Sequence, residues 1–140
     1  AQFLPSSWHN FAVDYNGDGR KDIWNDLDDV FASIANYLVK NGWHENEPWG
    51  VEVDLPVGFD HSAVTAEKKL PIEDWIRLGV LPKRGFEFPE KNLEATIMQP
   101  YGGPVFLMFH NYWVFLKYNN SRFYAGSVGY LADSICKKVN

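Results

Sequence analysis

Apolar and polar positions along this chain change rhythm several times, and each rhythm predicts an element. Pro5-Ser6-Ser7 predicts a helix start, with Ser6 or Ser7 capping the first amides and Trp8, Phe11 and Ala12 following at helical spacing. A polar, glycine-rich loop, Asp14-Tyr15-Asn16-Gly17-Asp18-Gly19, comes next. Leu27, Val30, Phe31, Ile34 and Leu38 then fall on one face of a helix over 27–40, expected to be its buried face. Asp26, Asp28 and Asp29 suit the positive end of that helix, and Asn41-Gly42 predicts a left-handed cap at its other end.

The middle of the chain alternates with the period of a strand. Residues 49–56 read as one, and residues 95–100 and 105–109 read as two more around a Tyr101-Gly102-Gly103-Pro104 turn. A short helix over 71–79 lies between them, with Pro near its start and Gly at its end. Residues 110–118 are apolar throughout, so period does not decide between helix and strand. Residues 123–135 read as a helix whose small residues Ala125, Gly126, Ser127 and Gly129 allow close packing. The pattern predicts an α+β fold with three segments: a helical segment 1–48, a small β-rich insert 49–109, and a return to helix over 110–140. There is no internal repeat and no low-complexity linker.

Composition narrows this picture. A chain of 140 residues makes one domain or part of a larger protein, and 46% hydrophobic content is enough for a core. A net charge of −5 argues against nucleic acid as a partner. Aromatic residues are 16% of the chain, and much of that belongs in the core, but aromatic faces also stack on sugar rings. The lone Cys136 forms no internal disulfide. No run approaches the ~18 apolar residues of a membrane span. The opening Ala1-Gln2-Phe3-Leu4-Pro5 has no basic or signal-like character, which predicts a truncated or processed chain with any targeting signal upstream.

Two groups of residues carry candidate chemistry. Asp14-x-Asn16-x-Asp18-Gly19 fits the first half of an EF-hand loop, where alternate side chains on a tight turn deliver oxygen ligands to one calcium ion. The Arg20 carbonyl would supply the seventh-position ligand, and Asp22 the ninth, directly or through water. Position twelve is Asn25 instead of the usual Glu, so the closing carboxylate must come from Asp26, Asp28 or Asp29. A single loop points to a structural ion and not to a sensor. The second group is Lys117-Tyr118-Asn119-Asn120-Ser121, with Tyr37 beside Asn36 earlier in the chain. Tyrosine rings beside amides offer what N-acetylated sugars need. A catalytic acid is not evident. Glu45, Glu47, Glu52, Glu67, Glu73, Glu87, Glu90 and Glu94 all stand in polar or loop contexts or on the outer face of a short helix, where nothing keeps a carboxylic acid protonated. His9, His44, His61 and His110 have no metal-ligand spacing.

Gln2-Phe3-Leu4-Pro5-Ser6-Ser7-Trp8, then Asp14 through Trp24, then Ala32-Ser33-Ile34-Ala35-Asn36-Tyr37-Leu38, and finally Lys117-Tyr118-Asn119-Asn120-Ser121 with Tyr124-Ala125 resemble the lytic murein transglycosylase B family, in family order. Trp75-Ile76-Arg77-Leu78-Gly79-Val80 in the middle is also similar to the family. The resemblance implies the C-terminal part of a lysozyme-like catalytic core, with a single EF-hand-type calcium loop and a small β insert. It implies cleavage of the MurNAc–GlcNAc bond of peptidoglycan without water. One Glu protonates the leaving oxygen, and the muramic C6 hydroxyl attacks C1 to give a 1,6-anhydro product. One acid suffices because the nucleophile is intramolecular. In the family that Glu precedes the segment at which this chain starts, so the chain alone is expected to be inactive.

By the same resemblance, Gln2, Tyr37, Tyr118, Asn119 and Tyr124 match positions lining one glycan groove, and Asp14, Asn16, Asp18, Arg20 and Asp29 match the calcium loop. Asp26 and Asp28 remain alternatives to Asp29 as the closing ligand. The implied setting is the periplasm, with any outer-membrane anchor upstream. The implied partner is the glycan strand, and self-association is expected if Phe3, Leu4 and Phe11 are left uncovered. The rival readings are a non-catalytic, calcium-stabilised glycan-binding domain and a dockerin-like module, although a dockerin needs two such loops.

Overall fold

The computed structural model describes residues 2–65 and 67–139, with side chains up to residue 136. The chain divides into two compact units, Ala1–Trp43 and His44–Asn140.

The first unit is a helix pair around a long loop. Helix α1 spans Pro5–Phe11 and helix α2 spans Leu27–Lys40. Neither Ser6 nor Ser7 caps α1. The cap is Leu4, which makes no side-chain bond, and Pro5 takes the first turn, where its missing N–H costs nothing. Asp26 caps α2 by accepting from the amides of Asp28 and Asp29, and Gly42 closes it with φ 98°.

The buried face of α2 differs from the apolar stripe. Leu27 and Phe31 are exposed, and the residues of α2 that are buried are Asp29 and Ser33. Their side chains, with Asn36, form a polar stripe that bonds the backbone of the preceding loop. Asn36 Nδ2 donates to the Phe11 carbonyl at 2.9 Å, and Ser33 Oγ accepts from the Val13 amide at 2.9 Å. An irregular loop packed on a helix needs partners for its backbone groups, and that need outweighs the burial of two apolar side chains. Phe3 and Phe11 are half-buried against the Tyr37 ring, at 5.8 and 4.7 Å between centroids, so of the three residues expected to be uncovered only Leu4 is exposed.

The second unit is built on an antiparallel sheet of five strands in the order β2-β4-β5-β1-β3. Its elements are β1 (Gly50–Asp54), β2 (Lys69–Pro71), α3 (Ile72–Arg77), β3 (Leu81–Pro82), β4 (Glu94–Met98), β5 (Val105–Met108), α4 (His110–Tyr118) and α5 (Arg122–Val139). The apolar 110–118 run is therefore helical. The sheet carries a core on each face, so alternate residues of one strand enter different cores. Val51, Val53, Ala95, Ile97 and Leu107 face a core centred on Trp75 of α3, whose indole N–H donates to the Ala95 carbonyl at 3.0 Å. Phe106 and Met108, one residue out of phase with Leu107, join Trp49, Tyr112 of α4 and Ala125 of α5 in a second core.

Buried Asn111 ties the 44–47 turn to α4. Its oxygen accepts from the His44 amide at 2.8 Å, and its nitrogen donates to the carbonyls of His44 at 2.8 Å and Glu47 at 2.7 Å. Trp49 holds α5. Its indole N–H donates to Asp133 at 2.9 Å, and a Cβ on Gly129 would stand 2.3 Å from its ring. Gly126, by contrast, faces open space. Gly129→Ala is expected to lower stability in urea unfolding by about 1–3 kcal/mol, because overpacking outweighs the gain in helix propensity. Gly126→Ala should change stability little or raise it by up to ~1 kcal/mol.

Candidate functional site

The loop between α1 and α2 is a chain of side-chain-to-backbone turns. Asp14 accepts from the amides of Gly17 at 2.7 Å, Asp18 at 3.2 Å and Gly19 at 2.9 Å. Asn16 accepts from the Asp18 amide at 2.9 Å, and Asp18 from the Arg20 amide at 2.8 Å. Gly17 and Gly19 take φ of 76° and 87°, the left-handed backbone this winding requires. Asp22 accepts from the amides of Trp24 and Asn25, which holds its carboxyl below the ordinary range.

Asp29 of α2 holds the loop through its backbone. It is 1% exposed, and its two oxygens accept from the Tyr15 amide at 2.7 Å and the Asp22 amide at 2.9 Å. Asp26 is taken up by its cap and by a 2.6 Å bond from the Asn16 amide group, and Asp28 is exposed. Six aspartates and two cations lie between Asp14 and Asp29. No cationic side chain pairs with Asp29 among the described residues. As they stand, no three His, Cys, Asp or Glu side chains among the described residues converge to hold a metal ion. The donor set is all oxygen and strongly anionic, and the buried Asp29 carboxylate at its base is held by amides and by no cation among the described residues, which suits a hard cation such as calcium.

Of the glycan candidates, Gln2 and Tyr37 belong to the first unit, where Gln2 is exposed and Tyr37 half-buried. Tyr118, Asn119 and Tyr124 belong to the second, at the short connection between α4 and α5. Asn119 is the C-cap of α4 and is exposed, Tyr118 is half-buried, and Tyr124 stands in the first turn of α5. The Tyr124 amide donates to Ser121 Oγ at 3.2 Å, so the connection is ordered by its own hydrogen bonds.

The second unit also carries an open cleft of about 1190 Å³ that sequence patterning does not show. The outer end of β1, the β4–β5 turn and one side of α5 line it. Strand pairing brings these distant segments together, and no local motif marks them.

Two buried or half-buried carboxylates of the second unit sit in ion pairs. Glu52 is 7% exposed, unlike the polar context expected for it, but Lys83 donates to it directly, and the contact raises the pKa of Lys83. Glu47 receives Lys91 Nζ at 2.7 Å and lies 2.9 Å from His44 Nδ1, and these bonds, Lys91 first, hold its carboxyl below its usual value. A group whose pKa is lowered on folding stabilises the fold above the unfolded value, and that stability is lost as pH falls through the folded value. Wild type should therefore out-melt Glu47→Gln above pH 4.5, the unperturbed value, and lose that margin in more acid solution. Melting temperatures across pH 3–6 check this.

The chain belongs to the transglycosylase SLT domain family, which matches residues 1–133. It is 27% identical over 142 residues to the membrane-bound lytic murein transglycosylase B of Escherichia coli K12, covering 96% of this chain and 36% of that protein. Its structure is similar to that of Pseudomonas aeruginosa SltB3, solved in complex with NAG-anhNAM-pentapeptide, at 44% identity and a TM-score of 0.88, over 95% of this chain and 36% of that one. It is also similar to the Escherichia coli lytic transglycosylase Slt35 solved in complex with calcium, at 27% identity and a TM-score of 0.73, over 98% of this chain and 43% of that one. The chain thus spans less than half the length of the relatives it matches. No helix among the described residues is long and apolar enough to cross a membrane.

Proposed function

We propose that this chain is the calcium-stabilised, glycan-contacting part of a periplasmic lytic transglycosylase that cleaves the MurNAc–GlcNAc bond to 1,6-anhydromuropeptides. The observation that carries the reading is membership of the transglycosylase family over residues 1–133. It is supported by the 44%-identical SltB3, which was solved with a NAG-anhNAM-pentapeptide, a ligand bearing the anhydro sugar that such a reaction produces.

The reaction needs a carboxylic acid that is protonated near neutral pH beside the glycosidic oxygen. Glu52 is tied to Lys83, and Glu47 to Lys91 and His44, so neither is such an acid. We place the proton donor outside these residues. Tyr118, Asn119 and Tyr124 of the second unit, and Gln2 and Tyr37 of the first, are assigned to glycan contact. Tyrosine rings stack on sugar faces, and the amides of Asn119 and Gln2 can serve an N-acetyl group or a hydroxyl. Purified sacculi incubated with the 140-residue chain should release no 1,6-anhydromuropeptides detectable by mass spectrometry. Release by the chain itself would place an acid among the carboxylates here, Glu45 ahead of the ion-paired Glu47.

Calcium is assigned to Asp14, Asn16, Asp18, the Arg20 carbonyl and Asp29. The reading is supported by the oxygen-rich donor set, the buried Asp29 carboxylate and the calcium complex of Slt35. Its part is structural: it neutralises the aspartates and holds the loop against α2. Calcium at a hundredfold over its Kd should stabilise the metal-free chain by about 2.7 kcal/mol. Asp18→Ala should abolish that gain while changing the metal-free melting temperature little. Calorimetry showing no calcium uptake at millimolar concentration would reduce the loop to a turn.

A further inference from the structure

The open cleft of the second unit carries aromatic rings that no core uses. Phe123, Gly126, Ser127 and Tyr130 line it from α5. Their spacing of i, i+3, i+4 and i+7 puts them on one face of the helix. Phe123 is 65% exposed and Tyr130 53%, and neither belongs to either core. Two turns of helix set the bases of these rings about 10.5 Å apart along the axis. Between them the face is hollow, because Ser127 is small and a Cβ on Gly126 would meet nothing within 4 Å.

A third ring enters the cleft from the β4–β5 turn. Tyr101 is 98% exposed and has a left-handed backbone with φ 46°. Gly102 follows with φ 71°, and the Gly103 amide donates to the Pro100 carbonyl at 2.8 Å. The Gln99 side-chain amide braces the turn by donating to the Gly103 carbonyl at 3.1 Å. Two left-handed residues in succession suit Asn or Gly, and a bulky side chain at the first of them is strained. A ring this exposed returns no packing energy for that strain, and such strain gathers at functional positions.

The sheet side of the cleft supplies an acceptor and a donor. Buried Glu52 takes the Lys83 ammonium on one oxygen, and its other oxygen takes no hydrogen bond among the described residues. Both side chains line the cleft. A pyranose ring has an apolar face that stacks on an aromatic ring, and a rim of hydroxyls that both donate and accept. A cleft with exposed rings on one side and an ion pair on another serves both parts of such a ligand.

We propose that this cleft is a subsite for a β-1,4-linked glycan strand, separate from the contact assigned above to Tyr118 and Asn119, which do not line it. Phe123 and Tyr130 stack on alternate sugars, since their separation is about that of two pyranose residues in such a strand. Tyr101 closes on the strand from the turn, and Glu52 with Lys83 bonds its hydroxyls. The kind of polymer rests on the peptidoglycan reading above, and the place rests on the cleft itself.

The test titrates the isotope-labelled 140-residue chain with a tetramer of β-1,4-linked N-acetylglucosamine, with the monomer and with a proline-rich peptide, followed by amide chemical shifts. The tetramer should shift the amides of Tyr101, Phe123, Gly126 and Tyr130 and bind about tenfold more tightly than the monomer, because it spans both rings. Phe123→Ala and Tyr130→Ala should each weaken it about tenfold. Gly126→Gln should abolish binding by filling the hollow, yet melt no lower than wild type, because Gln is the better helix former. Tyr101→Asn should weaken binding and also melt no lower, because Asn takes the left-handed turn at less cost. The proposal fails if millimolar tetramer leaves these amides unshifted, if Gly126→Gln binds as wild type does, or if the peptide binds more tightly than the tetramer. Shifts confined to Tyr118, Asn119 and Tyr124 overturn this subsite and leave the glycan reading standing, whereas no shift at either place sinks both.

Discussion

A backbone amide taken out of water must find an acceptor, and the two units of this chain meet that demand in different ways. In the first unit the loop from Ala12 to Asp26 has no strand partner. Its amides are satisfied by side chains: Asp14, Asn16, Asp18 and Asp22 from within, and Asp29 and Ser33 from α2. The loop's shape therefore depends on these side-chain acceptors being present. The carboxylates among them repel one another, and the calcium ion proposed above would relieve the repulsion.

In the second unit the sheet ladder does this work, which frees the side chains for packing. Because strand residues alternate, one sheet serves two cores, with Trp75 at the centre of one and Tyr112 with Trp49 in the other. The contact of Gly129 with Trp49 sets how closely α5 approaches the sheet. Where α5 turns from buried Ala125 to exposed Ser127 and Tyr130, its side lines the cleft.

In the function proposed above, chemistry by intramolecular attack would ask little of this part of the protein. With a single acid and no water-activating base, the remaining surfaces would have to hold the substrate still, and positioning alone accounts for a large share of such a rate. Tyrosines and amides at helix ends, charges cancelled in pairs, and a loop stiffened by its own hydrogen bonds suit that task.

Much of this was legible in the residues. The Asp14–Gly19 spacing, the Asn41-Gly42 stop, the two strands around the Tyr101–Pro104 turn and the familial run through Lys117–Ser121 are local signals, because turn chemistry and side-chain period act over a few residues. Other features depended on neighbours far along the chain. The short strands Lys69–Pro71 and Leu81–Pro82 exist because longer strands pair with them. The 110–118 run is a helix because Tyr112 and Val114 find a covered sheet face. Asp29 and Ser33 are buried in place of Leu27 and Phe31 because the loop packed on α2 needs acceptors, a requirement no hydrophobic pattern records. Glu52 is buried because Lys83, thirty-one residues away, is brought beside it. Tyr101, Phe123 and Tyr130 line one cleft only through the pairing of β4 with β5 and the docking of α5. The sequence by itself determined which segments turn, cap and alternate, since those preferences are local. The tertiary structure alone decided which polar groups are paired, which are left open and where a ligand fits, since those depend on what packing brings within 3 Å.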